Sequence, residues 1–124
     1  MPIKAKQKIL IIDDEPDLLE TVCSSLEENG YSVTTASNGE EGFKKAGEER
    51  PELILLDIMM PKMDGYELLD KFKRTRGLWD IPVVMVTAKS ESRSILRSQE
   101  LRASDYLIKP FDANKLLSMV RRYI

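Results

Sequence analysis

Residues 8–16 read Lys-Ile-Leu-Ile-Ile-Asp-Asp-Glu-Pro, and this short stretch indicates how the chain folds. Four consecutive apolar residues, Ile9 to Ile12, are typical of a strand that is buried on both faces. An acidic turn follows. Pro16 then suits the first position of a helix, because proline has no backbone N–H and a residue at that position needs none for the helix. The stretch therefore predicts a strand that leads through an acidic turn into a helix.

The same alternation of apolar strand and amphipathic helix continues to the end of the chain. Further strands are predicted at 31–36, 53–56, 82–86 and 105–108, and helices at 16–28, 38–46, 65–76, 90–101 and from 113 onward. Strands this apolar need helices on both faces, which predicts a doubly wound (βα)5 sandwich over residues 1–124 as one domain. We expect a five-stranded parallel sheet in the flavodoxin-like order 2-1-3-4-5, although periodicity alone leaves the order open.

Polar side chains stand where four of these strands end. Asp13 and Asp14 follow the first strand, and the third, fourth and fifth strands end at Asp57, Thr87 and Lys109. The carboxyl ends of parallel strands share one edge of the sheet, so these groups should lie together. Because clustered carboxylates repel one another and no His or Cys accompanies them, the set predicts a Mg²⁺ site.

A carboxylate beside a hard cation, a lysine and a hydroxyl suits phosphoryl transfer. A carboxylate can act as a nucleophile and form an aspartyl-phosphate. Such transfer depends mainly on positioning and on neutralising the phosphoryl oxygens, which the cation, Lys109 and Thr87 would supply. Asp57 is the candidate acceptor because it is the only acidic residue at a strand end that is flanked by both Thr87 and Lys109.

Four segments make the chain resemble the receiver domain of two-component response regulators over essentially its whole length. They are Ile-Ile-Asp-Asp-Glu-Pro at 11–16, Asp-Ile-Met-Met-Pro-Lys-Met-Asp-Gly at 57–65, Val-Thr-Ala at 86–88 and Asp-Tyr-Leu-Ile-Lys-Pro-Phe at 105–111. The resemblance implies a signalling domain, not an enzyme acting on a small metabolite. It implies a phosphohistidine on a sensor histidine kinase or histidine phosphotransfer protein as the phosphoryl donor.

The resemblance also implies a role for each site residue. Asp57 would accept the phosphoryl group and help to hold Mg²⁺, with Lys109 as the phosphoryl partner. Asp14 and the Met59 carbonyl would be direct Mg²⁺ ligands, and Asp13 would bind the ion largely through water. Thr87 and Tyr106 would form a switch pair that changes an output face made by the fourth helix, fifth strand and last helix. Pro110 would follow a cis peptide bond.

Other functions on a similar fold lack their required residues here. A haloacid-dehalogenase phosphatase needs a second aspartate at the position of Met59, and a P-loop NTPase needs Gly-Lys-Ser/Thr. A flavodoxin needs a Ser/Thr/Gly-rich loop after the first strand, where this chain is acidic. A receiver-like scaffold that works without phosphorylation is disfavoured by the presence of Asp57, Thr87 and Lys109 together.

Composition limits the partners and the location. The chain has no histidine, and its net charge of −2 gives no strong attraction to nucleic acid. No apolar run approaches the length of a membrane span, and the first residues lack a signal-peptide core, so we expect a cytoplasmic protein. Two smaller expectations are that Cys23 is a buried structural thiol and that Trp79 anchors packing.

The output of the domain stays open at this level. Residues 89–124 carry eight Lys and Arg against four Asp and Glu. This excess includes Arg93, Arg97, Arg121 and Arg122, and favours either a solvated surface or a face for an acidic partner or second copy. Arg102 falls where the family commonly has glycine, so a positive φ there would carry a cost. A stand-alone regulator, a phosphorelay intermediate and a part of a larger protein all fit the sequence.

Overall fold

The computed structural model describes residues 6–60, 64–88 and 102–124, so the helix predicted at 90–101 lies outside the described residues. The strands are β1 (Lys8–Ile12), β2 (Ser32–Ala36), β3 (Leu53–Asp57), β4 (Val83–Ala88) and β5 (Asp105–Lys109). The helices are α1 (Pro16–Glu28), α2 (Gly39–Glu49), α3 (Gly65–Arg74) and the C-terminal helix α4 (Ala113–Tyr123). Each predicted element within these residues is present, with ends shifted by three residues or fewer.

The five strands form one parallel sheet in the order β2-β1-β3-β4-β5, which confirms the predicted flavodoxin-like order. β2 is an edge strand: Ser32 is exposed, the next three residues are half-buried, and only Ala36 at its end is buried. All five residues of β3 are buried, as expected for the central strand of a sheet with helices on both faces. The apolar residues of the strands thus account for the helices that cover both faces of the sheet.

The sheet separates two apolar clusters, because successive side chains of a strand point to opposite faces. On one face Leu10 and Ile12 pack with residues of α2 and α3, including Ala46 and Phe72. On the other face Ile9 and Ile11 belong to a cluster with residues of α1 and α4. Its helical members are Val22, Leu26, Leu116, Leu117 and Val120. The helices pack on both faces of the sheet, which confirms the doubly wound sandwich.

Side chains that accept hydrogen bonds begin three of the helices. Asn38, Asp64 and Asp112 accept from the backbone N–H groups of Glu41, Tyr66 and Lys115 respectively, each at 2.8 Å. Such caps satisfy donors that the first turn of a helix leaves without partners. The Glu41 carboxylate pairs with Lys45 at 2.9 Å, while the Glu41 backbone N–H donates to the Asn38 side chain.

Two smaller expectations about packing were wrong. Trp79 is 58% exposed and therefore does not anchor the core through its ring. Cys23 is half-buried, and its thiol donates to the Glu27 carboxylate at 2.9 Å. Partial burial and the neighbouring carboxylate raise the pKa of the thiol to about 11, which keeps it in the unreactive protonated form.

None of the helices within the described ranges combines the length and apolar character that crossing a bilayer requires.

Candidate functional site

Strand register brings the predicted acidic residues together at the carboxyl edge of the sheet. Ile12 of β1 pairs with Leu56 of β3, so the next residues along the two strands, Asp13 and Asp57, are neighbours. Asp13 continues the face that carries Ile9 and Ile11, and Asp57 continues the face that carries Leu53 and Leu55. These four apolar residues belong to one cluster. The two carboxylates therefore extend the sheet face that is covered by α1 and α4.

Burial makes both of these carboxylates costly to ionise. Asp13 is 2% exposed and Asp57 is 4% exposed. Burial raises the pKa of Asp57 to about 6, and the charge of Asp13 adds to the effect, while Lys109 and the Met59 N–H oppose it. Burial likewise raises the pKa of Asp13, although the Glu15 N–H and Lys109 favour its charged form. The site thus holds unfavourable negative charge.

Lys109 brings the ammonium group of the site from the end of β5. Its Nζ lies 3.2 Å from Glu15 Oε1, 3.4 Å from Asp13 Oδ2 and 3.8 Å from Asp57 Oδ2. Burial lowers the pKa of Lys109, but the carboxylates of Asp57, Asp13 and Glu15 outweigh burial and raise it overall. The lysine therefore stays charged and faces the candidate nucleophile.

The arrangement fits a divalent cation held by oxygen atoms. Carboxylate oxygens of Asp13, Asp14 and Asp57 lie within 4.8 Å of one another. One ammonium does not balance them together with Glu15, and an oxygen-only set is the kind that Mg²⁺ prefers. The Asp57 Oδ1 atom accepts from the Met59 N–H at 3.2 Å, which places the Met59 backbone beside the cluster. The structure thus brings together the predicted carboxylates.

Thr87 and Tyr106 lie on the opposite face of the sheet from the two buried aspartates. Thr87 continues the face of Val83 and Met85, and Tyr106 packs against the same cluster. Thr87 is 2% exposed, and its hydroxyl donates to the Ala88 carbonyl at 3.3 Å. Tyr106 is half-buried, opposite Met85 in the register of β4 and β5. The predicted switch residues therefore occupy neighbouring strands.

Several features near the site confirm or extend the sequence analysis. The Lys109–Pro110 peptide bond is cis, as predicted, and Arg102 has a φ of 67° in the left-handed region. Met59 is 62% exposed beside Asp57, so packing is not its role. The contact of Glu15 could not be predicted from the sequence, because its neighbours along the chain do not indicate a lysine 94 residues away.

A polar cluster at the start of β5 was also missed. Asp105 Oδ2 accepts from Arg122 at 2.8 Å and from the Tyr123 hydroxyl at 2.9 Å, and the Tyr123 hydroxyl also lies 2.7 Å from the Ser104 carbonyl. These contacts tie the end of α4 to the strand that carries Tyr106. The sequence offered only the positive charge of Arg122 as a signal, without its partner.

Comparison with known proteins places these features in one family. The profile of the response regulator receiver domain matches residues 9–121. The alkaline phosphatase synthesis transcriptional regulatory protein PhoP of Bacillus subtilis is 41% identical over 115 residues, which are 93% of this chain and 47% of that protein. The DNA-binding dual master transcriptional regulator RpaA of Synechocystis is 40% identical over 92% of this chain and 47% of its own length. The chain spans about half the length of the curated relatives it matches.

Solved structures agree with the sequence relatives. The chemotaxis protein CheY4 of Vibrio cholerae is 29% identical and superposes with a TM-score of 0.91 over 97% of this chain and 100% of that chain. The signal receiver domain of a signal transduction histidine kinase from Syntrophus aciditrophicus is 38% identical. It superposes with a TM-score of 0.86 over 94% of this chain and 89% of its own.

Proposed function

The chain belongs to the response regulator receiver domain family, whose members accept a phosphoryl group on an aspartate, and we propose that Asp57 is the acceptor in this protein. The observation that carries the proposal is the position of Asp57. Its carboxylate is buried beside Asp13, and its Oδ2 atom faces the Lys109 ammonium at 3.8 Å. Asp14 and Glu15 are the more exposed carboxylates of the cluster, so water stabilises their charge and a cation is less important for it.

The proposed reaction begins with attack by a carboxylate oxygen of Asp57 on phosphorus. A bond forms between that oxygen and phosphorus, and the bond from phosphorus to an imidazole nitrogen of the donor breaks. The electron pair of the broken bond stays on the imidazole. The donor histidine lies outside residues 1–124, because this sequence contains no histidine. A sensor histidine kinase or a histidine phosphotransfer protein would supply it.

The side chains around Asp57 have distinct roles in this proposal. The Met59 N–H holds Oδ1, which leaves Oδ2 directed toward Lys109. Lys109 pairs with a phosphoryl oxygen as negative charge gathers there, and Thr87 donates its hydroxyl to another after leaving the Ala88 carbonyl. A bound Mg²⁺, held by the carboxylates of Asp13, Asp14 and Asp57 and by the Met59 carbonyl, would neutralise further charge on these oxygens.

The experiment that tests the acceptor is intact-mass measurement after exposure to acetyl phosphate and Mg²⁺. The wild-type protein should gain the mass of one phosphoryl group, and a chelator should prevent the gain. Asp57→Asn should gain nothing, whereas the control Asp80→Asn, which changes an exposed loop aspartate, should label like wild type. Labelling of Asp57→Asn at the wild-type level would refute the assignment.

A change of surface around β5 and α4 is the proposed output. Tyr106 lies on β5, and Asp105 of the same strand holds the end of α4 through Arg122 and Tyr123. Movement of Thr87 toward the phosphoryl group would open space for the Tyr106 ring, and a shift of β5 would reach α4 through these contacts. A downstream protein, or a second copy of the chain, would bind this surface. Arg93 and Arg97, which were predicted to add to it, lie outside the described residues.

A further inference from the structure

Glu15 stands at the N-cap of α1 but does not cap it. The side chains preferred at this position, such as that of Asp, accept a hydrogen bond from an N–H of the first turn, and Glu is not among them. Glu15 has extended backbone angles, φ −94° and ψ 108°, yet makes no such side-chain bond. Its backbone N–H instead donates to Asp13 Oδ1 at 2.9 Å, and its side chain reaches across the edge of the sheet to Lys109. The helix begins without help from this side chain.

The distances around the Lys109 ammonium rank its partners. Glu15 Oε1 is nearest at 3.2 Å, Asp13 Oδ2 follows at 3.4 Å, and Asp57 Oδ2 is farthest at 3.8 Å. Only the contacts with Glu15 and Asp13 also satisfy hydrogen-bond geometry. Lys109 is therefore bound to two carboxylates that are not the acceptor, although its proposed task lies at Asp57.

We infer that Glu15 is a positioning residue that holds Lys109 in the unphosphorylated protein and releases it to the phosphoryl group. The inference rests on the proposed role of Asp57 and Lys109. Lys109 keeps Asp13 as a buried partner in both states and exchanges Glu15 for a phosphoryl oxygen. Glu15 thus competes with the phosphoryl group for the lysine, which slows phosphorylation.

Because Glu15 is exposed, its contact with the Lys109 ammonium can break and form again at little cost. Its side chain is 62% exposed, whereas that of Asp13 is 3% exposed. Water can solvate the Glu15 carboxylate once Lys109 leaves, but an abandoned Asp13 would stay buried and charged at high cost. Exposed ion pairs are weak, so removing this one should change the phosphorylation rate by roughly twofold to fivefold.

The rate of labelling by acetyl phosphate at saturating Mg²⁺ tests the inference. In this reaction a bond forms between an Asp57 oxygen and phosphorus, and the bond from phosphorus to the acetate oxygen breaks, so that acetate leaves with the electron pair. Glu15→Gln should label faster than wild type by the factor above. Added salt should reduce the difference, because exposed pairs are screened.

Two further variants separate the contact with Lys109 from a general loss of negative charge. Asp17→Asn removes one charge from an exposed residue of the first turn of α1 and should label at about the wild-type rate. Glu15→Asp keeps the charge but shortens the side chain by one methylene, so it should behave like Glu15→Gln. Equal acceleration by Asp17→Asn, or a wild-type rate in Glu15→Asp, would overturn the inference.

A measurement without metal or phosphoryl donor checks the same pair. The urea midpoint of unfolding is compared, in the presence of a chelator, before and after Glu15→Gln. The substitution removes an attractive contact only when Lys109 is present. The change in midpoint should therefore be less favourable with Lys109 than in a Lys109→Met background. Additive midpoint shifts would show that the two side chains do not interact in solution, and would also overturn the inference.

The outcomes distinguish this inference from the proposed function. If Asp57→Asn labels as well as wild type, the acceptor assignment fails. If Asp57→Asn fails to label while Glu15→Gln labels at the wild-type rate, the acceptor assignment stands and the role of Glu15 fails.

Discussion

Burial disfavours the charged form of Asp57, the proposed acceptor. The side chain lies at the end of the most buried strand of the sheet, beside a second buried carboxylate. Burial, and then the charge of Asp13, raise its pKa from an ordinary value near 3.8 to about 6. At neutral pH the ionised Asp57 carboxylate therefore destabilises the folded protein, and a bound cation would offset this cost.

The raised pKa predicts a pH-dependent stability difference between wild type and Asp57→Asn. The folded state binds the Asp57 proton more tightly than the unfolded state, so between about pH 4 and pH 6 wild-type stability falls as pH rises. Asp57→Asn should be close to wild type near pH 3.5 and more stable at pH 7, by on the order of 2–3 kcal/mol. Urea unfolding in the presence of a chelator measures this difference.

The control for this prediction is Asp80→Asn, which alters an exposed aspartate and should track wild type across the same pH range. A constant difference between Asp57→Asn and wild type from pH 3.5 to pH 7 would contradict the raised pKa.

At the scale of elements, the start of α3 is packed directly against the backbone that carries Asp57. Gly65, the first residue of α3, donates its N–H to the Ile58 carbonyl at 3.0 Å. A Cβ atom at Gly65 would come within 2.7 Å of both the Asp57 carbonyl oxygen and Ile58 Cα. Since these are backbone atoms, they cannot move aside as a flexible side chain would. Glycine thus allows the helix to approach the reactive strand end.

Gly65→Ala should therefore push α3 away from the end of β3. Overpacking of this kind costs about 1–3 kcal/mol of unfolding free energy, and the displaced Asp57 backbone should slow labelling by acetyl phosphate.

Gly47→Ala is the matched control, because a Cβ at Gly47 of α2 meets nothing within 4 Å. It should raise stability by about 0.5–1 kcal/mol, through helix propensity, and leave labelling unchanged. Urea unfolding and intact-mass kinetics measure both effects. If Gly65→Ala matched Gly47→Ala in both, the close approach would not matter.

At the scale of the whole molecule, the sheet places the proposed acceptor site and the proposed switch pair on opposite faces. Asp13, Asp57 and Lys109 follow strand positions that face the cluster covered by α1 and α4, in which Ile11, Leu55 and Leu107 are members. Tyr106 packs against the cluster on the opposite face, and Thr87 follows Val83 and Met85 of that cluster along β4. In the proposed mechanism, Thr87 would respond to a phosphoryl group on Asp57 and carry the change to the opposite face.

This arrangement predicts that Thr87 links phosphorylation to Tyr106. In wild type, phosphorylation should shift the NMR signals of the Tyr106 ring, because movement of Thr87 changes the space beside it. Thr87→Ala lacks the hydroxyl, so it should still be labelled on Asp57 but show a much smaller shift of these signals. The signals of Tyr31, which packs on the opposite cluster, provide an internal control. Equal Tyr106 shifts in the two proteins would contradict the link.

The sequence by itself determined the strands, their cover by helices and the edge where the reactive groups meet. This was possible because the apolar pattern of Ile9 to Ile12 and Leu53 to Leu56 requires burial on both faces, and parallel strands place their carboxyl ends together. Asp13, Asp57, Thr87 and Lys109 were identified as a set for the same reason. The sequence pattern left the order of the strands open. The flavodoxin-like order was predicted among the doubly wound arrangements, and the structure confirms it.

Only the tertiary structure decided which side chains are partners within that set. The ion pair of Glu15 with Lys109 and the contacts of Asp105 with Arg122 and Tyr123 depend on strand register and on side-chain rotamers. The exposure of Trp79 and the pKa of Asp57 likewise depend on how neighbouring elements exclude water. Local sequence pattern reports which face of an element is apolar, but it carries no distance between groups that are 94 residues apart.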